Sequence, residues 1–228
     1  MTETPVRRGP LALLVRRHTI APAGYNRWLI PPAALAVHLC IGQVYATSVY
    51  KTSMVAHFDS SLTAVGIIFS IAIVMLGLSA AVMGTWVDRN GPRKAMFVSA
   101  CCWALGFLVA AIGIATKQLW LVYLGYGVIG GIGLGIGYIS PVSTLIKWFP
   151  DRPGLATGMA IMGFGGGAML ASPMQRQLPS FFDSDYDPTN SKSLAGGHAL
   201  TMLFVTLAVL YFCVMMVGVA NVRVPAAG

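Results

Sequence analysis

The densest chemistry in the sequence lies in one short stretch, Gly84-Thr85-Trp86-Val87-Asp88-Arg89-Asn90-Gly91-Pro92-Arg93-Lys94. One carboxylate among strong bases can make and break ion pairs, so the stretch reads as a latch built from Asp88, Arg89, Arg93 and Lys94. Gly84 lies one helical turn before Asp88 and lets a neighbouring helix come close. Asp88 can then face that helix's positive N-terminal dipole while Arg89 or Arg93 pairs with it. Gly91 permits the tight turn. A second group, His38, Gln43 and Tyr45, stands in apolar surroundings and could line a wet path. His38 reads either as a neutral imidazole bonded to a neighbouring helix or as a cavity residue.

Three other patterns carry no chemistry. Gly125-Tyr126-Gly127-Val128-Ile129-Gly130 matches G-x-G-x-x-G, but it is embedded in a long apolar run with no acid downstream until Asp151. Asp183, Asp185 and Asp187 lack the glycine and distal glutamate of a calcium loop. Cys40, Cys101, Cys102 and Cys213 have no C-x-x-C spacing. No metal and no cofactor is expected.

The elements that must position these residues follow from composition. The 228 residues are 56% hydrophobic and 10% charged, with a mean hydropathy of +0.73, whereas soluble domains carry about 25% charged residues. An integral membrane protein is expected. A hydrocarbon core of about 30 Å needs roughly 20 apolar residues per helix, and six stretches qualify: 28–50, 64–87, 95–115, 119–146, 154–175 and 199–220. None contains Lys, Arg, Asp or Glu. Runs such as Ile67–Ile73 do not alternate as barrel strands would. The first stretch is too long for a signal core, which leaves 1–27 as a tail and 221–228 as a short end. On one side lie Arg7, Arg8, Arg16, Arg17, Arg27, Arg89, Arg93, Lys94, Lys147, Arg152 and Arg223, and on the other Lys51, Lys117, Arg176 and Lys192. By the positive-inside rule both termini are cytoplasmic, and the net charge of +8 needs no nucleic acid.

Packing is also readable. Gly127, Gly131 and Gly135 form a smooth stripe on the fourth span, and Gly163 with Gly167 repeats the device on the fifth. On a wheel of the first span, Val37, Ile41, Val44 and Ser48 gather on one arc, which suits a lipid-facing side. His38, Gly42 and Tyr45 share a second arc.

The latch stretch closely resembles the G-x-x-x-D-R-x-G-x-R-[KR] signature that the major facilitator superfamily carries between helices two and three. Arg27-Trp28-Leu29-Ile30-Pro31, His38-Leu39-Cys40-Ile41-Gly42-Gln43-Val44-Tyr45-Ala46, Gly133-x-Gly135-x-Gly137-Tyr138-x-x-Pro141 and Lys147-Trp148-Phe149-Pro150-Asp151-Arg152 narrow it further. With Gly154-Leu155-Ala156-Thr157-Gly158, they are similar to the oxalate/formate antiporter family, related to the monocarboxylate transporters. The resemblance runs from about residue 25 to 222.

It implies a twelve-helix transporter with substrate held between two six-helix halves. This sequence is similar to the N-terminal half alone. The resemblance puts the basic residues that neutralise a carboxylate, and the helix facing Asp88, in the other half. The expected fold is therefore an all-α six-transmembrane-helix bundle equivalent to the N-terminal half of such a transporter. Its expected activity is alternating-access antiport of small organic anions such as oxalate, formate or monocarboxylates, in the cell membrane. His38, Gln43, Tyr45, Tyr126 and Tyr138 would supply hydrogen bonds and an aromatic wall, Tyr138 resting partly on the resemblance. The expected partners are the bilayer, a small carboxylate, and a C-terminal six-helix half or a second copy. A split or truncated half that moves nothing alone is the alternative. A six-helix intramembrane protease is a distant one, since no G-x-S-G-like string occurs.

Overall fold

The computed structural model describes residues 19–190 and 192–225. Six helices among them are long and apolar enough to cross a membrane: α1 Arg27–Phe58, α2 Leu62–Asn90, α3 Pro92–Ala115, α4 Leu119–Trp148, α5 Pro153–Phe181 and α6 Gly197–Asn221. The chain is an all-α membrane bundle, as its composition requires. Of the expected N-terminal tail, Arg7, Arg8, Arg16 and Arg17 lie outside the described residues, as does 226–228.

Local chemistry sets the helix ends. The Ser61 hydroxyl accepts from the Ala64 amide at the start of α2, relieving one of the unpaired first-turn donors. Gly91 joins α2 to α3 at φ 86°, a conformation that favours glycine. Proline occupies the first turn of both α3 and α5, where its missing N–H costs nothing.

The first span differs most from expectation. It continues from 50 to Phe58, tightening to a 3-10 helix over Gln43–Thr47 before resuming. Lys51 therefore stands inside a membrane helix and not in a loop. In α4 the backbone widens to a π-helix over Tyr123–Gly130, a distortion that recurs at functional sites.

Packing pairs α3 with both α4 and α6, α2 with α4 and α1 with α5, while α1 also touches α4 and α6. Both glycine stripes lie at these seams. A Cβ on Gly131 would come within 2.6 Å of Met75 Cβ, and one on Gly127 within 2.9 Å of Ile71. Gly135 lies against Ser79 and the Leu76 carbonyl, so the stripe seats α4 on α2. Gly163 meets Leu35 and His38, and Gly167 meets the Leu39 carbonyl, seating α5 on α1. The expected lipid-facing arc of α1 is corrected. Val37, Ile41 and Val44 are fully buried, with Val37 against Gly218 of α6 and Ile41 against Gly137 of α4.

Two helices are left half-dressed. Only 22% of the apolar stretch of α2 and 28% of that of α5 are buried, against 67% in α1. Gly77 and Gly84 on α2, and Gly154, Gly158 and Gly165 on α5, have nothing within 4 Å of where a Cβ would stand.

Both described chain ends meet at the end of the bundle that carries the α2–α3 turn, here the basic end. The Ala21 amide donates to the Val224 carbonyl and the Val224 amide to that of Thr19. Trp148 Nε1 donates to the Arg223 carbonyl at 2.8 Å.

Candidate functional site

The expected binding residues separate into two groups. His38, Tyr45 and Tyr138 converge on Phe164 of α5. Tyr45 and Tyr138 each meet the Phe164 ring edge-on, at 5.4 and 5.2 Å between centroids, and His38 stacks on Tyr138 at 5.7 Å. Tyr45 also leans on Phe69 of α2. The result is an aromatic wall contributed by four helices. His38 itself is fully buried. Its Nδ1 lies 2.8 Å from the Ala160 carbonyl and its Nε2 3.1 Å from that of Tyr138. Both partners are acceptors, so a neutral imidazole donates to one of these carbonyls only.

The wall separates two grooves. Tyr45, 48% exposed, borders one of about 270 Å³ between the far half of α1 and the start of α2, with Thr47, Ser48 and Lys51. Tyr138 borders another of about 330 Å³ on α4, which runs past Ser143 to Lys147.

Gln43 and Tyr126 belong elsewhere, in a buried chain of polar groups. Gln43 Nε2 donates to the Tyr126 hydroxyl at 3.1 Å. Gln175 Nε2 donates to Gln43 Oε1 at 2.6 Å and also reaches the Tyr211 hydroxyl at 3.4 Å. This network ties α1, α4, α5 and α6 together around the π-helical turn. Tyr126 packs on Trp103 and Phe107 of α3 and faces neither groove. Gln175 and Tyr211 escaped the sequence reading, although a lone amide closing an apolar span was the available signal.

Replacing Gln43 by Leu takes one partner each from the Gln175 amide, which keeps the longer contact to Tyr211, and the Tyr126 hydroxyl; a buried polar group left fully unsatisfied costs about 1–3 kcal/mol in soluble proteins. Inside a membrane the unfolded reference also finds partners, so thermal unfolding of Gln43→Leu is expected to report a loss near the lower figure.

The charged residues expected to form the latch are paired differently from expectation. Asp88 accepts from Lys147 Nζ of α4 at 2.9 Å, and among the described residues no ion pair joins it to Arg89 or Arg93. The reason is reach. Arg93 turns to the C-terminus of α6, donating to the carbonyls of Ala220 and Val222 at 3.1 Å each, where a cation complements the helix dipole. Lys94 donates back to Asn90 at 2.8 Å and lies 5.6 Å over the Trp86 ring, while Arg89 is exposed. Gly84 faces open space.

A second cross-link at this end was not foreseen. Arg27 donates through two nitrogens to both Asp151 oxygens at 2.8 and 3.1 Å, and its guanidinium lies 4.9 Å from the Phe149 ring centre. It fastens the start of α1 to the α4–α5 turn. The Arg27 hydrogen bonds hold the Asp151 carboxyl below its ordinary range. A depressed carboxyl stabilises the fold above the unfolded pKa, about 4, and loses that contribution as pH falls through the folded one. Wild type is therefore expected to outlast Asp151→Asn in thermal unfolding at pH 7, with the gap narrowing as pH falls below about 4.

Among the described residues no cluster of metal-ligating side chains occurs. Residues 33–227 match the Major Facilitator Superfamily. The chain belongs to that superfamily. It is 29% identical over 161 residues to an uncharacterized MFS-type transporter, YhjX, of Escherichia coli (strain K12), covering 70% of this chain and 39% of that protein. It is 31% identical to apicoplast pyruvate carrier 1 of Toxoplasma gondii, over 60% of this chain and 27% of that one. The oxalate:formate antiporter of Oxalobacter formigenes is 28% identical, over 65% and 35%. The match thus spans well under half the length of each relative.

Proposed function

We propose that this chain is the N-terminal six-helix half of a secondary active transporter for small organic anions, an alternating-access antiporter for substrates such as oxalate, formate or monocarboxylates. The basic end is read as cytoplasmic, by the charge asymmetry along the sequence, and the membrane as the cell membrane. The observation that carries the reading is the uncovered face of α2 and α5. In a bundle this apolar, two helices left about three-quarters unburied, with glycines facing empty space, suit close approach by another set of helices. Relatives named for pyruvate and for oxalate and formate support the anion class. Tyr45, Tyr138 and Phe164 would form the wall on this side of the substrate path. Asp88 with Lys147, and Arg27 with Asp151, would be the contacts that change as the bundle rocks.

The test is reconstitution in liposomes with a matching C-terminal half, followed by labelled oxalate or formate exchange. Exchange by the pair, and none by this chain alone, is expected. Absence of exchange with both halves folded would overturn the reading. Flux by the single chain would overturn the half-transporter assignment.

A further inference from the structure

The seam between α3 and α6 opens toward the bilayer in a groove of about 470 Å³. The short side chains of Ala104 and Ala208 leave it open between Leu105 and Leu108 of α3 and Val209 and Phe212 of α6. Leu105, Leu108 and Val209 are exposed, and in spans this apolar an exposed face meets lipid. The groove belongs to neither α2 nor α5, the two helices left uncovered.

Positive charge gathers where the same seam reaches the basic end. Arg93 donates to the carbonyls of Ala220 and Val222 at the close of α6. Arg223 follows directly, near enough for its charge to act on Arg93. Lys94 is the next residue of α3. It precedes Cys101 and Leu108, both in the groove, by seven and fourteen residues, so it shares their side of the helix. An ammonium has three donors. Lys94 gives one to Asn90, and the Trp86 ring lies 5.6 Å away, an aromatic of the kind found at head-group depth. Neither α3, nor α6, nor 222–228 contains Asp or Glu, and the Asp88 carboxylate at the end of α2 is engaged by Lys147. Basic groups collected between membrane helices in this way suit the phosphate of a lipid.

Depth joins the two features. At 1.5 Å per residue, Cys101 lies about 10 Å and Leu108 about 21 Å below Lys94, in a hydrocarbon core about 30 Å thick. The groove therefore occupies the acyl region of the leaflet whose head groups meet Lys94. We propose that this seam holds one anionic phospholipid of that leaflet. Its head group rests on Lys94, with Arg93 and Arg223 adding charge, and one acyl chain lies in the groove. A zwitterionic lipid fills the groove equally well but carries no net charge for the cations to attract. Each basic residue near the membrane surface favours the anionic lipid by about fivefold. The inference requires neither the anion-transport reading nor a second half.

The test is native mass spectrometry of the purified chain, released from detergent with equimolar dioleoyl phosphatidylglycerol and dioleoyl phosphatidylcholine. One phosphatidylglycerol retained per chain, favoured over phosphatidylcholine by about fivefold or more, is expected. Lys94→Gln should cut that preference by about fivefold and spare retention of phosphatidylcholine. Ala104→Phe, which fills the groove, should lower retention of both lipids. Lys192→Gln, at the other end of the bundle, should change nothing. Unfolding temperatures in lipid-free detergent establish that each variant folds. The wild-type chain offers a reading without any variant. Phosphatidylglycerol should slow alkylation of Cys101, which lines the groove, by a lipid-soluble maleimide more than phosphatidylcholine does, with exposed Cys213 as the reference. Equal retention of the two lipids overturns the proposal, as does a preference that survives Lys94→Gln combined with Arg223→Gln. Alkylation of Cys101 indifferent to the head group also overturns it. So does phosphatidylglycerol retention unmoved by Ala104→Phe, which would leave only a diffuse attraction to the basic end.

Discussion

Replacing Gly42 by Leu is expected to prevent the chain from folding as a bundle, whereas replacing Gly165 by Ala should leave its stability unchanged or slightly raised. Both positions are helical glycines in an apolar membrane protein, and they differ in what lies across from them. A Cβ on Gly42 would fall on the Phe164 carbonyl of α5, with the carbonyl carbon at 2.8 Å. Gly167 returns the contact, since its Cβ would meet the Leu39 carbonyl and stand 2.8 Å from the Gly42 Cα. Backbone faces backbone, so no side chain can rotate away. Overpacking of this kind costs about 1–3 kcal/mol even for a few added atoms, more than the gain of up to about 1 kcal/mol in helix propensity from Gly to Ala. Gly42→Ala is therefore expected to lower the unfolding temperature, and Gly42→Leu to yield no cooperative transition. At Gly165 nothing lies within 4 Å, and only the propensity gain remains. A bulkier change, Gly165→Leu, should spare the isolated chain and weaken its association with a C-terminal half. That difference separates glycines that build this bundle from glycines that await a partner. Equal Tm losses at Gly42 and Gly165 would contradict the packing described.

The same contrast explains what the sequence could and could not reveal. Six helices were legible because the hydrocarbon core admits little else, and the stripe of Gly127, Gly131 and Gly135 because close approach demands missing side chains. The inner side of α1 was not legible. Val37, Ile41 and Val44 look lipid-facing by composition, yet the lipid face and the core of a membrane bundle are equally apolar, so hydrophobicity alone cannot choose between them. Lys51 was read as the end of a span because charge is costly in the bilayer, but a helix can continue where a groove receives the ammonium. Tyr45 and Tyr138 stood out as aromatics within otherwise apolar spans. Phe164, which joins them, was hidden among ordinary apolar residues. The partners Lys147 for Asp88 and Asp151 for Arg27 lie 59 and 124 residues away, and no local spacing announces a contact of that range. The π-helix over Tyr123–Gly130 left no sequence signal beyond glycine content.

Reversing the charge at position 88 is expected to have the largest effect on exchange while barely touching the stability of the chain. The Asp88–Lys147 pair is solvent-exposed, at 62% and 47% for the two side chains, and exposed pairs contribute roughly 0–1 kcal/mol. Global unfolding should therefore move little in Asp88→Asn or Asp88→Lys. A transporter that alternates between two arrangements responds to smaller energies than unfolding does, because each 1.4 kcal/mol is about tenfold in an equilibrium. If the pair exists in one arrangement only, losing it shifts their ratio by up to about fivefold. Placing Lys opposite Lys147 adds a repulsion of similar size, for a combined shift of up to about thirtyfold. Exchange by the reconstituted pair of halves should fall in that order, Asp88→Asn less than Asp88→Lys. Combining Asp88→Lys with Lys147→Asp restores an ion pair in reverse and should recover most of the rate, with a coupling energy of about 1 kcal/mol or more by double-mutant cycle. Raising ionic strength should narrow all the differences, since an exposed pair is screened within about 8 Å at physiological salt. A double variant no better than its parents would mean that Asp88 acts through something other than Lys147.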